Sequence, residues 1–328
     1  MGSGNMFHAL SYKTKQFFFV LIKLSIVIGA FYFIYNKITS NPELEFSKFL
    51  SFLMKNEVFT LKYVIFLLIL SSFNWFFEIL KWQTLVKCIK PIHFKEALKQ
   101  SLGALTASLF TPNRIGDYGA KALYFELVYR KKILLLNFIG NMLQMSVTSL
   151  LGCIGLYYFV DWYSIEIEPK FIVRLLLILL IIFTLSVIGI KQDKIKIKGF
   201  EISKVWSFIS SLPKRVIRTA WCYSLLRYVI FSFQFLVLVN IFQRDIPIIE
   251  CMVLISTMYL LSSIIPSIFI LDVVVKGSVA VFVFSMIEIG TFTILSVVLL
   301  MWIMNFVLPS LIGSYYVMTF KWTEIKRL

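Results

Sequence analysis

Long unbroken apolar runs alternate along the chain with short basic segments. A helix needs about 20 predominantly apolar residues to cross the hydrocarbon core of a bilayer. Six runs meet that length: residues 17–35, 63–80, 133–160, 171–190, 219–242 and 289–319. Two further apolar stretches, 98–128 and 251–286, are too long for one plain crossing and are interrupted near their middles. Thr111-Pro112-Asn113-Arg114 interrupts the first, and the segment from Pro266 to Asp272 interrupts the second. Proline lacks a backbone N–H and clashes with the preceding turn, so a helix stops there. Non-helical backbone persists at membrane depth only inside protein or against a water-filled cavity. Each stretch is therefore expected to form a re-entrant helical hairpin, with a pair of ordinary short spans as the competing reading.

Composition agrees with this pattern. The 328 residues are 59% hydrophobic and 15% charged, whereas soluble domains are about a quarter charged and about half apolar. A disordered chain, a coiled coil, a collagen and a soluble enzyme are excluded on that ground. The net charge is +16. In a soluble protein this would suggest nucleic acid. Here no nucleic-acid partner is expected, because basic residues accumulate in the cytoplasmic loops of membrane proteins.

Sidedness follows from the same charges. With the N-terminus in the cytoplasm and each hairpin returning to its own side, twenty Lys and Arg fall in inside segments and six outside. The inside group includes Lys81, Lys87, Lys90 and Lys95, and eight residues of the loop 191–218. Acidic residues lean outward, eight against four. Both termini are therefore expected to be cytoplasmic.

The order of elements then repeats with inverted topology. Residues 6–160 read span, span, hairpin, span, and residues 161–328 read the same with the hairpin entering from the other side. The expected fold is an all-α polytopic membrane protein of six transmembrane helices plus two oppositely oriented re-entrant helical hairpins in an inverted-topology repeat. Secondary transporters use such a plan, with the site at mid-membrane between broken helices. Met1–Asn5 reads as an expression-tag remnant outside the fold. In the loop 191–218, Lys194–Lys198 alternates like a short strand and Glu201–Leu212 reads as an amphipathic helix. This basic loop is expected to lie on an anionic lipid surface.

Metal and nucleotide chemistry find no support. Cys88, Cys153, Cys222 and Cys251 are widely spaced, and the two histidines are His8 and His93. No GxxxxGK[ST] phosphate loop occurs, so this chain is not expected to hydrolyse ATP. No cofactor is expected, and an enzyme is not the first expectation.

The charges left at membrane depth are Lys23, Lys99, Arg114, Lys121, Arg174, Arg227 and Lys276, with Glu78, Asp117, Glu126, Asp272 and Glu288. Each costs roughly 2.5–3.5 kcal/mol if placed centrally. Lys23, Lys99, Arg174, Glu78 and Glu288 lie near span ends, where a side chain can snorkel to water. The cluster from Pro112 to Lys121 is different. Pro112 stops the incoming half-helix, Asn113 and Arg114 follow it, and Gly116 and Gly119 allow close backbone approach. An outgoing half-helix starting near Ile115 puts Asp117 in its first turn, where the helix dipole favours an acid. Asp117 and Lys121 are then paired four residues apart. Arg114 is left to grip an anion, and its planar fork suits a phosphate. A self-neutralising structural cluster is the plainer reading of the same residues.

The second hairpin carries Pro266, Asp272 and Lys276, which repeat that acid–base spacing. Arg227 lies about eight residues into its apolar run and is expected to bind substrate or to pair with Asp272. Asn137, Asn141 and Gln144 recur at helical spacing and read as interhelical glue before they read as a substrate path.

The segment Ser108-Leu-Phe-Thr-Pro-Asn-Arg-Ile-Gly-Asp117 resembles the P-G-R-x-G-E signature of the lysylphosphatidylglycerol synthase transmembrane-region family. That family contains the flippase half of the bacterial multiple peptide resistance factor. The stretch from Ile264 through Pro266 sits where the family has a second signature, I-P-x-P-G-G-x-G-x-R-E. Asn113 stands for the family's glycine, Asp117 for its glutamate, and the second signature has lost its glycines. The resemblance implies movement of a lipid between leaflets of a bacterial inner membrane. It places Pro112, Arg114, Gly116 and Asp117 at the lipid headgroup.

The function expected is a flippase or scramblase-like transporter for an anionic or zwitterionic phospholipid or polyprenyl-phosphate glycolipid. Asp117 and Asp272 are its expected protonation sites. The alternatives are an accessory subunit that binds another membrane protein, and a membrane-embedded transferase acting on a lipid headgroup.

Overall fold

A computed structural model of the chain describes residues 60–109, 111, 116–165, 196–197, 200–242, 246–264 and 272–320, with isolated positions at 25, 28, 32, 51 and 54. The described elements are helices apart from one minimal strand pair. In chain order they are α1 (Leu61–Val86), α2 (Phe94–Ser108), α3 (Gly116–Leu123), α4 (Leu127–Trp162), α5 (Ile202–Ser211), α6 (Lys214–Phe242), α7 (Ile248–Ile264), α8 (Asp272–Phe284), α9 (Thr291–Trp302) and α10 (Leu308–Thr319). Strands β1 (Lys196–Ile197) and β2 (Phe200–Glu201) pair antiparallel just before α5. The helix expected over Glu201–Leu212 is present as α5, and of the segment Lys194–Lys198 expected to alternate like a strand only Lys196–Ile197 is described.

Among the described residues, four helices are long and apolar enough to cross a membrane: α1, α4, α6 and the continuous rod Thr291–Thr319 formed by α9, a π-helical turn and α10. They correspond to four of the six expected spans. The runs 17–35 and 171–190 lie outside the described residues, as does Met1–Asn5. Large apolar side chains stand exposed along the outer faces of the long helices, among them Phe73, Phe138, Ile154, Val229 and Ile312. Water would penalise such a surface, and a bilayer accepts it. The architecture is that of a polytopic helical membrane protein.

Each interrupted stretch is a pair of short helices. In the first, α2 ends at Ser108, a turn follows at Leu109, and α3 begins at Gly116; in the second, α7 ends at Ile264 and α8 begins at Asp272, and residues 265–271 lie outside the described residues. At 1.5 Å per residue, the 15 residues of α2 and the 8 of α3 are each too short for a bilayer about 30 Å thick. The first stretch begins earlier than the apolar pattern suggests. Glu96 accepts a hydrogen bond from the His93 N–H at 3.1 Å and fixes the start of α2 at Phe94.

The closest packing joins α1 to α6, α4 to α7, and α2 to α10. Gly313 shows why α2 and α10 can approach so far. A Cβ there would collide with the Leu102 carbonyl and Thr106 Oγ1. Thr106 Oγ1 donates to the Ser310 carbonyl at 2.9 Å across the same contact.

Candidate functional site

Polar residues on the inner faces of the described helices line a partly open cavity of about 400 Å³. Asn74 and Glu78 reach it from α1, Ser101 from α2, Asp117, Tyr118 and Lys121 from α3, and Asn141 and Gln144 from α4. Arg227 and Tyr228 come from α6, Tyr259 from α7, and Asn305 from the π-turn. Arg227 lies midway along the 29 residues of α6, and Asn305 midway along the 29-residue rod. The cavity therefore sits near half height on these helices, the depth at which an unpaired charge is most costly.

Two charged groups contribute to its lining. In the first, Glu78 accepts from Lys81 at 2.7 Å and from Arg227 Nη1. Arg227 Nε donates to Asn74 Oδ1 at 3.0 Å, and Nη1 also points at Gln144 Oε1 at 3.4 Å. Asn74 Nδ2 donates to Asn305 Oδ1 at 2.9 Å, and Asn305 Nδ2 donates to Gln234 Oε1 at 2.9 Å. One chain of hydrogen bonds thus ties α1, α6 and the π-turn together.

The π-turn has a local cause. Pro309 has no N–H to give to the preceding turn, so carbonyls there need other donors. Ser71 Oγ donates to the Met304 carbonyl at 2.7 Å and Trp75 Nε1 to the Asn305 carbonyl at 3.0 Å.

In the second group, Asp117 and Lys121 pair at 3.2 Å, one turn apart on α3. Asn137 of α4 bridges them. It donates to Asp117 Oδ2 at 2.7 Å and accepts from Lys121 Nζ at 2.9 Å. Lys121 Nζ also lies 4.7 Å above the Trp82 ring. Asn141 Nδ2 donates to the Tyr118 hydroxyl at 2.8 Å. The amides of α4 therefore act as interhelical glue, and Asn141 and Gln144 also line the cavity.

Three sequence expectations change. Arg227, expected to bind substrate or to pair with Asp272, is paired with Glu78 and lines the cavity; the side chain of Asp272 lies outside the described residues. Glu78 lines the cavity and pairs twice, although its place near the end of an apolar run suggests snorkelling. Lys81, expected in a cytoplasmic loop, is 3% exposed and ion-paired within α1. Glu78 one turn earlier supplies its counter-charge, so Lys81 need not reach water.

Of the other expected site residues, Asp117, Lys121 and Arg227 are brought to one cavity. Gly116 lies tight against α2, since a Cβ would stand 2.9 Å from the Ala107 carbonyl. Gly119 meets nothing within 4 Å, so no close approach explains it. Lys276 is exposed on α8 and does not line the cavity. Pro112, Asn113, Arg114 and Pro266 lie outside the described residues. Among the described residues, no three His, Cys, Asp or Glu side chains cluster to hold a metal, and the four cysteines are free.

Trp75 lines a second feature on its other side. An apolar groove of about 320 Å³ runs between α1, α2 and the rod, lined by Phe76, Ile79, Leu98, Leu102, Leu308 and Ile312 among others. Comparison of the chain with protein-family models, with characterised proteins and with solved structures returned no match.

Proposed function

We propose that this protein moves a lipid between membrane leaflets, as a flippase or scramblase-like transporter of a bacterial inner membrane. The observation that carries this reading is the junction at Trp75: a charged cavity on one side and an apolar groove on the other. A charged headgroup fits the first environment and an acyl chain the second, so the pair has the polarity of an amphiphile. A small soluble solute would have no use for the groove.

In this proposal six helices span the membrane, both termini are cytoplasmic, and the two broken stretches are opposed re-entrant hairpins. Their movements give the cavity access to either leaflet in turn. In this proposal Arg114, which lies between α2 and α3 in the chain, adds a further cation to the headgroup path.

Reconstitution tests this. Purified protein in vesicles carrying fluorescent phospholipids or polyprenyl phosphates should abolish leaflet asymmetry of at least one lipid. Arg114→Ala should lose that activity while remaining folded. If folded, correctly inserted protein moves no lipid, transport is wrong. Co-purification with a membrane partner would then support the accessory role, and lipid turnover in detergent the transferase.

A further inference from the structure

The charges around the cavity do not balance. Lys121 and Arg227 line it with Glu78 and Asp117, and Lys81, which pairs with Glu78 but does not itself line the cavity, adds a third positive charge against these two negative ones, among the described residues. Glu78 serves two cations at once. Buried charge left uncompensated costs several kcal/mol, so such a site favours a ligand that restores neutrality.

Donors are in surplus too. The second terminal nitrogen of Arg227 makes no hydrogen bond among the described residues, and the side chain keeps 22% of its surface accessible. The hydroxyls of Ser101, Tyr228 and Tyr259 are buried and have no hydrogen-bond partner among the described residues, and all three residues line the cavity. Ser101 is 2% exposed. Buried hydroxyls are normally paired, so three orphans in one cavity beside a half-used guanidinium mark a place for an acceptor. Lys121 is unlike them: Asp117, Asn137 and the Trp82 ring already occupy its ammonium.

We infer that the cavity binds a phosphate-type anion carrying one net negative charge, held by Arg227 with the Ser101 and Tyr259 hydroxyls. The inference rests on the proposed lipid transport and deepens it, since it selects an anionic headgroup over a zwitterionic one. The free phosphate ion shares this chemistry, so the test must separate the two sources.

The probes are dihexanoyl phosphatidic acid, dihexanoyl phosphatidylcholine and inorganic phosphate, each titrated at matched ionic strength into the full chain in a neutral maltoside detergent. The thermal midpoint reports binding. The anionic lipid should raise it saturably, and the zwitterionic lipid should not. Tyr259→Phe and Ser101→Ala remove unpaired hydroxyls, so neither should lower the ligand-free midpoint. Each should weaken the anionic lipid about tenfold. Equal stabilisation by the two lipids would overturn anion selectivity and leave lipid transport standing. Saturable binding of inorganic phosphate, sensitive to both variants and without binding of either lipid, would support the anion site and count against the lipid reading. No binding of any probe, or binding unchanged in both variants, overturns the inference.

Discussion

Arg227 and Glu78 stand 149 residues apart in the chain and meet in one ion pair at the centre of the helical bundle. The pair joins the middle of α6 to α1, and Lys81 shares the same carboxylate. Neither cation has another carboxylate among the described residues, so Glu78 is the pivot of this group. Removing one member of a buried pair costs about 3–5 kcal/mol, because the charge left behind is desolvated and unmatched.

Glu78→Gln should therefore destabilise the protein more than Arg227→Gln, since it strands two cations and not one carboxylate that Lys81 still serves. Thermal unfolding in detergent checks this. Equal midpoints for the two variants would show that Glu78 is not shared as the geometry has it.

Asn137 makes one amide serve both members of the Asp117–Lys121 pair. Asn137→Ala should cost about 1–3 kcal/mol, the range for a buried partner left unsatisfied. Asn137→Asp should be worse than its size suggests, because it replaces the donor facing Asp117 with a second carboxylate. A cycle combining Asn137→Ala with Lys121→Met should show clear non-additivity in unfolding free energy.

Trp75→Phe keeps the ring that separates cavity from groove and deletes the N–H that serves the Asn305 carbonyl. A loss of about 1–3 kcal/mol is expected. Retained stability would mean that water or a shifted π-turn replaces the bond.

Two glycines should respond in opposite directions. Gly313→Ala drives a methyl into the Leu102 carbonyl and should separate α2 from α10 at a cost of about 1–3 kcal/mol. Gly119→Ala meets open space inside α3 and should be neutral or stabilise by about 1 kcal/mol. A pair of unfolding midpoints decides both.

Much of the framework was legible because it is local. Apolar run length located the four long described helices, and proline with polar residues located the break before α3. Spacing alone placed Asp117 in the first turn of that helix with Lys121 one turn on. Boundaries were less legible. The helix expected over 133–160 runs Leu127–Trp162, and Arg130 in its first turn donates back to the Phe125 carbonyl at 3.1 Å.

By itself, then, the sequence determined what repeats within a few residues: which segments are helical, where they break, and which charges share a face. Only the tertiary structure decided which charges meet. Glu78 reads as a snorkelling acid until α6 is packed against α1 and brings Arg227 to it. A helix fixes its own i to i+4 neighbours through its pitch, whereas a partner 149 residues away is fixed by how the helices cross. The cavity belongs to that second kind of fact, because seven separate segments each contribute one or a few polar side chains to it.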